Sequence, residues 1–120
     1  MRVEIRRVYD DEDTGTAYRV LVDRLWPRGL SKAGAALDEW AKDGAPSAEL
    51  RRWYGHQPAR FDEFRRRYRD ELRRQPAKDV VGRLRALARR RKVVLLTATR
   101  DVDRSGAQVL CDVLTRRGTR

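Results

Sequence analysis

The chain is poor in the residues that staple, anchor or ligate. Its 120 residues include one cysteine (Cys111), one methionine and one histidine (His56). A lone cysteine cannot close an internal disulfide, which fits a reducing compartment. Neither Cys111 nor His56 sits in the His/Cys/carboxylate spacing of a metal site. No stretch approaches the roughly 20 apolar residues of a membrane span. The opening run MRVEIRRVYD has no apolar core of the kind a secretory signal needs. Walker loops and the G-x-G-x-x-G of dinucleotide sites are missing as well, so no cofactor is expected. These absences exclude secreted, membrane-embedded, disulfide-stapled and zinc-ribbon classes. The expectation is one cytoplasmic domain over 1–120, with a basic tail frayed from about residue 116.

What the chain has in excess is positive charge. Lys and Arg number 29 against 18 Asp and Glu, for a net +11, and 39% of residues are charged, well above the usual quarter. The excess is lopsided: residues 1–46 hold 8 basic and 9 acidic groups, and residues 47–120 hold 21 and 9. All but Lys32, Lys42, Lys78 and Lys92 of the basic residues are arginine. The planar guanidinium suits phosphate and carboxylate recognition. GC-rich coding raises arginine and alanine together, however, so composition alone supports an anionic partner only weakly.

Three tryptophans, four tyrosines and several aliphatic runs supply a core, and their pattern reads as one α/β unit. Val3-Glu4-Ile5-Arg6 alternates as a half-buried strand does, and Tyr18 to Asp23 forms a second, more buried strand. Asp10 to Gly15 is an acidic turn between them. Pro27 and Gly29 force a loop. Ala36 to Lys42 reads as a short helix containing Leu37, Trp40 and Ala41. Ser47 caps the next helix, through Leu50, Trp53 and Tyr54. Phe61, Phe64, Tyr68 and Leu72 recur at helical spacing, with arginines on the other faces. Pro76 breaks that helix. Val80, Val81, Leu84, Leu87 and Ala88 mark the following one. Val93 to Leu96 is an unbroken apolar run, as in a central parallel strand buried on both faces. A last helix opens at Ser105.

Open α/β sheets bind ligands beyond the C-terminal ends of their strands. Two strand ends here carry charge, Asp23-Arg24 and Thr97-Ala98-Thr99-Arg100-Asp101. If their strands are parallel neighbours, two carboxylates and two guanidiniums converge on one rim. A carboxylate held there by an arginine would stay ionised and position water, a hydroxyl or a metal. The plainer reading is a salt bridge that fixes a loop. Arg28 and Lys32 adjoin the rim and suit an anion clamp. Ser105 begins a helix after a strand, but Ser105 and Gln108 form an S-x-x-Q capping box and there is no G-x-S-x-G elbow. His56 is the one side chain with an ordinary titration near neutrality, although a lone histidine before a helix is usually a turn residue. Trp26, if exposed, offers a stacking surface for a base or sugar.

The run Arg19-Val20-Leu21-Val22-Asp23-Arg24-Leu25-Trp26-Pro27-Arg28-Gly29-Leu30-Ser31-Lys32 is highly specific. It continues in Leu37-Asp38-Glu39-Trp40, Ala45-Pro46-Ser47, Leu50-Arg51, Trp53, Gly55-His56, Phe64 and Tyr68. Together these resemble the DUF488 family, in its YeaO-like branch, over roughly residues 3–115. The resemblance implies a small Rossmann-like α/β domain in the bacterial cytoplasm and brings no established reaction. It marks Asp23, Arg24, Trp26, Pro27, Arg28, Gly29 and Lys32 as one signature. Pro46, Ser47, Arg51, Trp53, Gly55 and His56 make a second. Relatives typically carry a histidine just after the last strand, where this chain has Asp101-Val102-Asp103-Arg104-Ser105. A reaction that needs that histidine would here fall to His56 or be lost.

Three readings follow. In the first, the chain is an enzyme or binding domain for a small phosphorylated or nucleotide-like anion. Arg24, Trp26, Arg28, Lys32, Arg51 and Arg100 hold the ligand, and Asp23, His56 or Asp101 handle protons. In the second, the arginine faces of residues 60–92 bind nucleic acid. In the third, the basic surface meets an acidic protein.

Overall fold

In the computed structural model, residues 2–10, 15–31 and 36–116 are described. Strands β1 (Val3–Arg7), β2 (Tyr18–Leu21), β3 (Glu39–Trp40) and β4 (Val93–Thr97) form one sheet in the order β1-β4-β2-β3. Every neighbouring pair is parallel. Among the described residues, helices α1 (Ala48–Tyr54), α2 (Phe61–Leu72), α3 (Ala77–Ala88) and α4 (Gly106–Thr115) complete the small Rossmann-like α/β fold.

The apolar run of β4 goes to the middle because it is apolar on both faces. All five of its residues are buried, and it pairs with β1 on one side and β2 on the other. Its alternation divides the interior. Val93 and Leu95 join the cluster to which all four helices contribute, through side chains such as Tyr54, Phe64, Leu84 and Leu110. Val94 and Leu96 instead pack with Val8, Ala17 and the half-buried Leu30, Leu37 and Ala98. One face is therefore covered by helices and the other by turns and loops. Tyr68 is fully buried and donates its hydroxyl to the carbonyl of Gly44 at 2.5 Å. Glycine is required at this position by a different neighbour, since a Cβ at Gly44 would come within 2.7 Å of Val80 Cγ1.

Both serine caps form. Ser47 Oγ accepts from Leu50 N, and Ser105 Oγ accepts from Gln108 N. The Ser105 N–H donates to Val102 O instead of to the Gln108 side chain, which itself donates to Asp112, so only half of the capping box is made. The expected helix over Ala36 to Lys42 is not formed. Glu39–Trp40 instead adds a two-residue edge strand, with Ala41 N donating to Leu21 O at 2.8 Å and Asp38 N to Arg19 O at 2.9 Å. A helix of two turns is marginal by itself. Here the sheet edge and the Glu39 carboxylate, which accepts from Arg83 and Tyr18, outweigh it.

The acidic turn at 11–14 and the end of the tail, 117–120, lie outside the described residues. No described helix is long and apolar enough to cross a membrane. Because β4 inserts between β1 and β2, the C-terminal ends of three parallel strands lie side by side, with Arg7 opposite Thr97 and Leu21 opposite Leu96.

Candidate functional site

Just beyond those strand ends, the chain turns outward around a cleft of about 510 Å³. That is within the range of roughly 300–1,000 Å³ usual for small-molecule sites. Val22 N still donates to Leu96 O, so the β2–β4 ladder runs up to Asp23. There the Asp23 carboxylate closes against the end of β4. Oδ1 accepts from Thr97 Oγ1 and Oδ2 from Ala98 N, each at 2.7 Å. Burial pushes this carboxyl above its ordinary value; the two hydrogen bonds and the nearby His56 pull partly the other way. The expected Asp23–arginine pair is not formed. Arg24 turns to the opposite wall, where its Nε donates to the carbonyl of Pro46 at 2.8 Å.

The loop after β2 is fixed by its own signature residues. Trp40 Nε1 donates to Asp23 O at 2.7 Å, Trp26 Nε1 to Leu30 O at 2.6 Å, and Tyr9 Oη to Arg28 O at 2.7 Å. The rings of Trp26 and Trp40 meet edge-on at 5.4 Å. Gly29 takes a φ of +79°, the left-handed region that glycine enters at least cost. Leu25 stays exposed on this loop and lines the cleft.

The facing wall comes from α1, the start of α2 and the start of α4. Tyr54 stacks on Phe64 at 4.3 Å and donates its hydroxyl to Arg104 O. Gly55 ends α1 in the left-handed region, and His56 follows with a φ of +57°. A non-glycine residue held there stores backbone strain, which clusters at functional sites. Gly106, the first residue of α4, also lines the cleft, so the backbone N–H groups at that helix start add partial positive charge. A Cβ on Gly106 would come within 3.2 Å of Pro46 Cγ.

Asp23, Arg24, Trp26, Arg28, Arg51 and His56 thus line one cleft. Among the described residues, Arg28 and Arg51 have no ion-pair partner. Asp101 and Arg100 are not part of the lining. Asp101 begins the turn Val102–Arg104 and pairs with Arg104 at 3.0 Å on the exposed surface. The expected convergence of two carboxylates is therefore corrected: Asp23 is the carboxylate that reaches the cleft. Lys32 lies outside the described residues. Tyr9 and Tyr54 line the cleft without having been singled out for it. Tyr9 was legible in principle, since it follows the third strand end of the same rim. Ser105 Oγ is engaged as a helix cap and donates to Val102 O at 2.6 Å. Among the described residues, no group of three or more His, Cys, Asp or Glu side chains is placed to hold a metal ion.

The family described as the inactive DUF488-N3 subclade (DUF488-N3i) matches residues 2–120. The uncharacterized protein Rv3073c of Mycobacterium tuberculosis is 50% identical over 116 residues, covering 97% of this chain and 96% of that protein. The uncharacterized protein Mb3100c of Mycobacterium bovis matches to the same extent. YeaO of Escherichia coli, also uncharacterized, is 38% identical over 114 residues, covering 95% of this chain and 97% of its own. No solved structure matches.

Proposed function

We propose, from the premise that the chain belongs to the DUF488 family, that its rim cleft binds a small phosphorylated or nucleotide-like anion without transforming it. The observation that carries this reading is the charge balance of the cleft. Among the described lining residues, Arg24, Arg28 and Arg51 stand against a single carboxylate, Asp23, whose two oxygens already accept from Thr97 and Ala98. Guanidiniums without carboxylate partners are suited to forked hydrogen bonding of phosphate. The aromatic lining of Trp26, Tyr9 and Tyr54 offers apolar contact for a base or sugar.

The non-catalytic arm is favoured by the subclade's description as inactive and by the engagement of the reactive groups. Asp23 is tied back and Ser105 is spent on its cap. His56 also lines the cleft. A reducing cytoplasm suits the unpaired, half-buried Cys111.

The test is calorimetric titration of nucleoside mono- and diphosphates and inorganic phosphate. Saturable binding to the native chain should fall at least tenfold in the Arg24→Ala/Arg28→Ala variant, with cooperative unfolding retained. Normal binding by that variant would refute the rim site. Rapid turnover of a bound phosphoester, lost in His56→Ala, would show the enzyme arm instead.

A further inference from the structure

A second cleft, of about 480 Å³, opens on the helical side between α2, α3 and α4. Its rim carries Arg69 and Arg73 from α2, Lys78 and Arg85 from α3, and Arg116 just past α4. No carboxylate is among its described lining residues. Acidic groups do stand near it. Asp70 takes a guanidinium nitrogen of Arg73 at 2.9 Å, and Asp112 partly offsets the field at Arg69. Arg69, Lys78, Arg85 and Arg116 have no ion-pair partner among the described residues. Arg85 is held in place, its Nη2 donating to Val113 O at 2.7 Å across the α3–α4 junction. Burial and the neighbouring Arg116, Arg65 and Arg73 push the Arg69 guanidinium below its ordinary value. These cations repel one another, and a bound polyanion would relieve that repulsion.

A second observation concerns the floor. Gly82 lines the same groove, in the interior of α3. A Cβ built there meets nothing within 4 Å, and its backbone is not in the left-handed region. Neither packing nor conformation calls for glycine, which weakens a helix interior. Something outside the chain that approaches the α3 backbone closely would call for it. The remaining floor is aliphatic, Leu72, Val81 and Val113, with no aromatic ring to stack a base.

We propose that this groove is a second, separate anion site that takes the phosphodiester backbone of a nucleic-acid strand without reading its bases. A row of cations over an aliphatic floor, all but Arg73 without an ion-pair partner among the described residues, meets a row of phosphates along its length. Residues 47–120, with 21 basic and 9 acidic groups, extend the attracting field past the groove. An acidic peptide would share the charge, but among the described residues the floor offers no carboxamide or hydroxyl side chain for its backbone.

The experiment is fluorescence anisotropy of a labelled oligo(dT) 20-mer, and of a labelled duplex, over a salt series. The full chain should bind oligo(dT) with a log–log salt slope of about −3, four or five phosphates at roughly 0.7 each. Gly82→Glu should weaken binding at least tenfold while melting no lower, because glutamate is the better helix former and would reach Lys78 and Arg85. Arg73→Gln with Lys78→Gln should act in the same direction. Arg90→Gln removes one charge from an exposed position outside the groove and should change affinity less than twofold. Arg28→Ala should also leave oligo(dT) binding unchanged, which separates this site from the rim cleft. Equal losses in Gly82→Glu and Arg90→Gln would reduce the effect to generic attraction and overturn the proposal. So would competition by oligoglutamate as effective as that by unlabelled oligo(dT), or no binding at about 0.1 M salt.

Discussion

Two clefts of this molecule, the rim cleft and the helical groove, are nearly equal in size, about 510 and 480 Å³, but are built in different ways. At the rim, many polar groups are already bonded to the fold: Asp23 to Thr97 and Ala98, Arg24 to Pro46, Trp26 to Leu30, Tyr54 to Arg104. In the helical groove, Arg69, Lys78 and Arg116 have no ion-pair partner among the described residues, and Arg69 and Lys78 are placed by the helices that carry them. Fixed groups select shape and lose little entropy when a ligand arrives. Loosely held cations select charge alone and trade bound counterions for phosphates. The rim should therefore discriminate among small ligands and tolerate salt, whereas the groove should be indifferent to sequence and sensitive to salt.

The largest break in that contrast should come from Asp23. Asp23→Ala strips the acceptor from Thr97 Oγ1 and Ala98 N, and unpaired donors of this kind cost about 1–3 kcal/mol. Urea unfolding should show a loss of that size, with oligo(dT) binding intact. A neutral Asp23→Ala would mean that the rim is not prebuilt. Next in size is a pair of glycine substitutions of opposite sign. Gly106→Ala forces a Cβ to within 3.2 Å of Pro46 Cγ and should destabilise by about 1 kcal/mol, as mild overpacking does. Gly82→Ala has open space and should stabilise by about 0.5–1 kcal/mol through helix propensity. Thermal melts that moved the same way in both variants would contradict the account.

The smallest effect is a pH dependence. The Asp23 carboxyl lies above its ordinary 3.8 when folded, chiefly through burial, so the native state binds its proton more readily than the unfolded chain does. As pH falls through that raised value towards 3.8, this group should add stability. On raising the pH again, the gain is lost. The difference in unfolding free energy between the native chain and Asp23→Asn should therefore shift in the native chain's favour on acidification. A shift in the opposite direction would show that the hydrogen bonds from Thr97 and Ala98 outweigh burial.

Much of the frame was legible because it rests on local rules. Serine caps at Ser47 and Ser105, the helical spacing of Phe61, Phe64, Tyr68 and Leu72, and the unbroken apolar run of β4 all read directly. β3 did not, because two residues carry no period and their strand exists only through pairing with β2. Asp23, Arg24, Trp26, Arg28, Arg51 and His56, candidates the sequence offers, line one cleft. Asp101 and Arg100 are not in the lining, because nearness in sequence to a strand end is not nearness in space; Asp101 leads into the turn Val102–Arg104 and pairs with Arg104. The helical groove was invisible for a related reason. Arg69 and Arg73 share a face of α2, and Lys78 and Arg85 share a face of α3, but helical spacing does not say that those faces meet.

One amide NMR titration tests the division of labour most directly. The labelled chain is titrated first with a nucleoside monophosphate and then, separately, with unlabelled oligo(dT). The account predicts that the nucleotide shifts amides around Asp23–Arg28, Ala98–Thr99 and Gly106, and that the oligonucleotide shifts those around Arg69–Arg73, Gly82 and Arg116. Two ligands moving one common set of amides would contradict it.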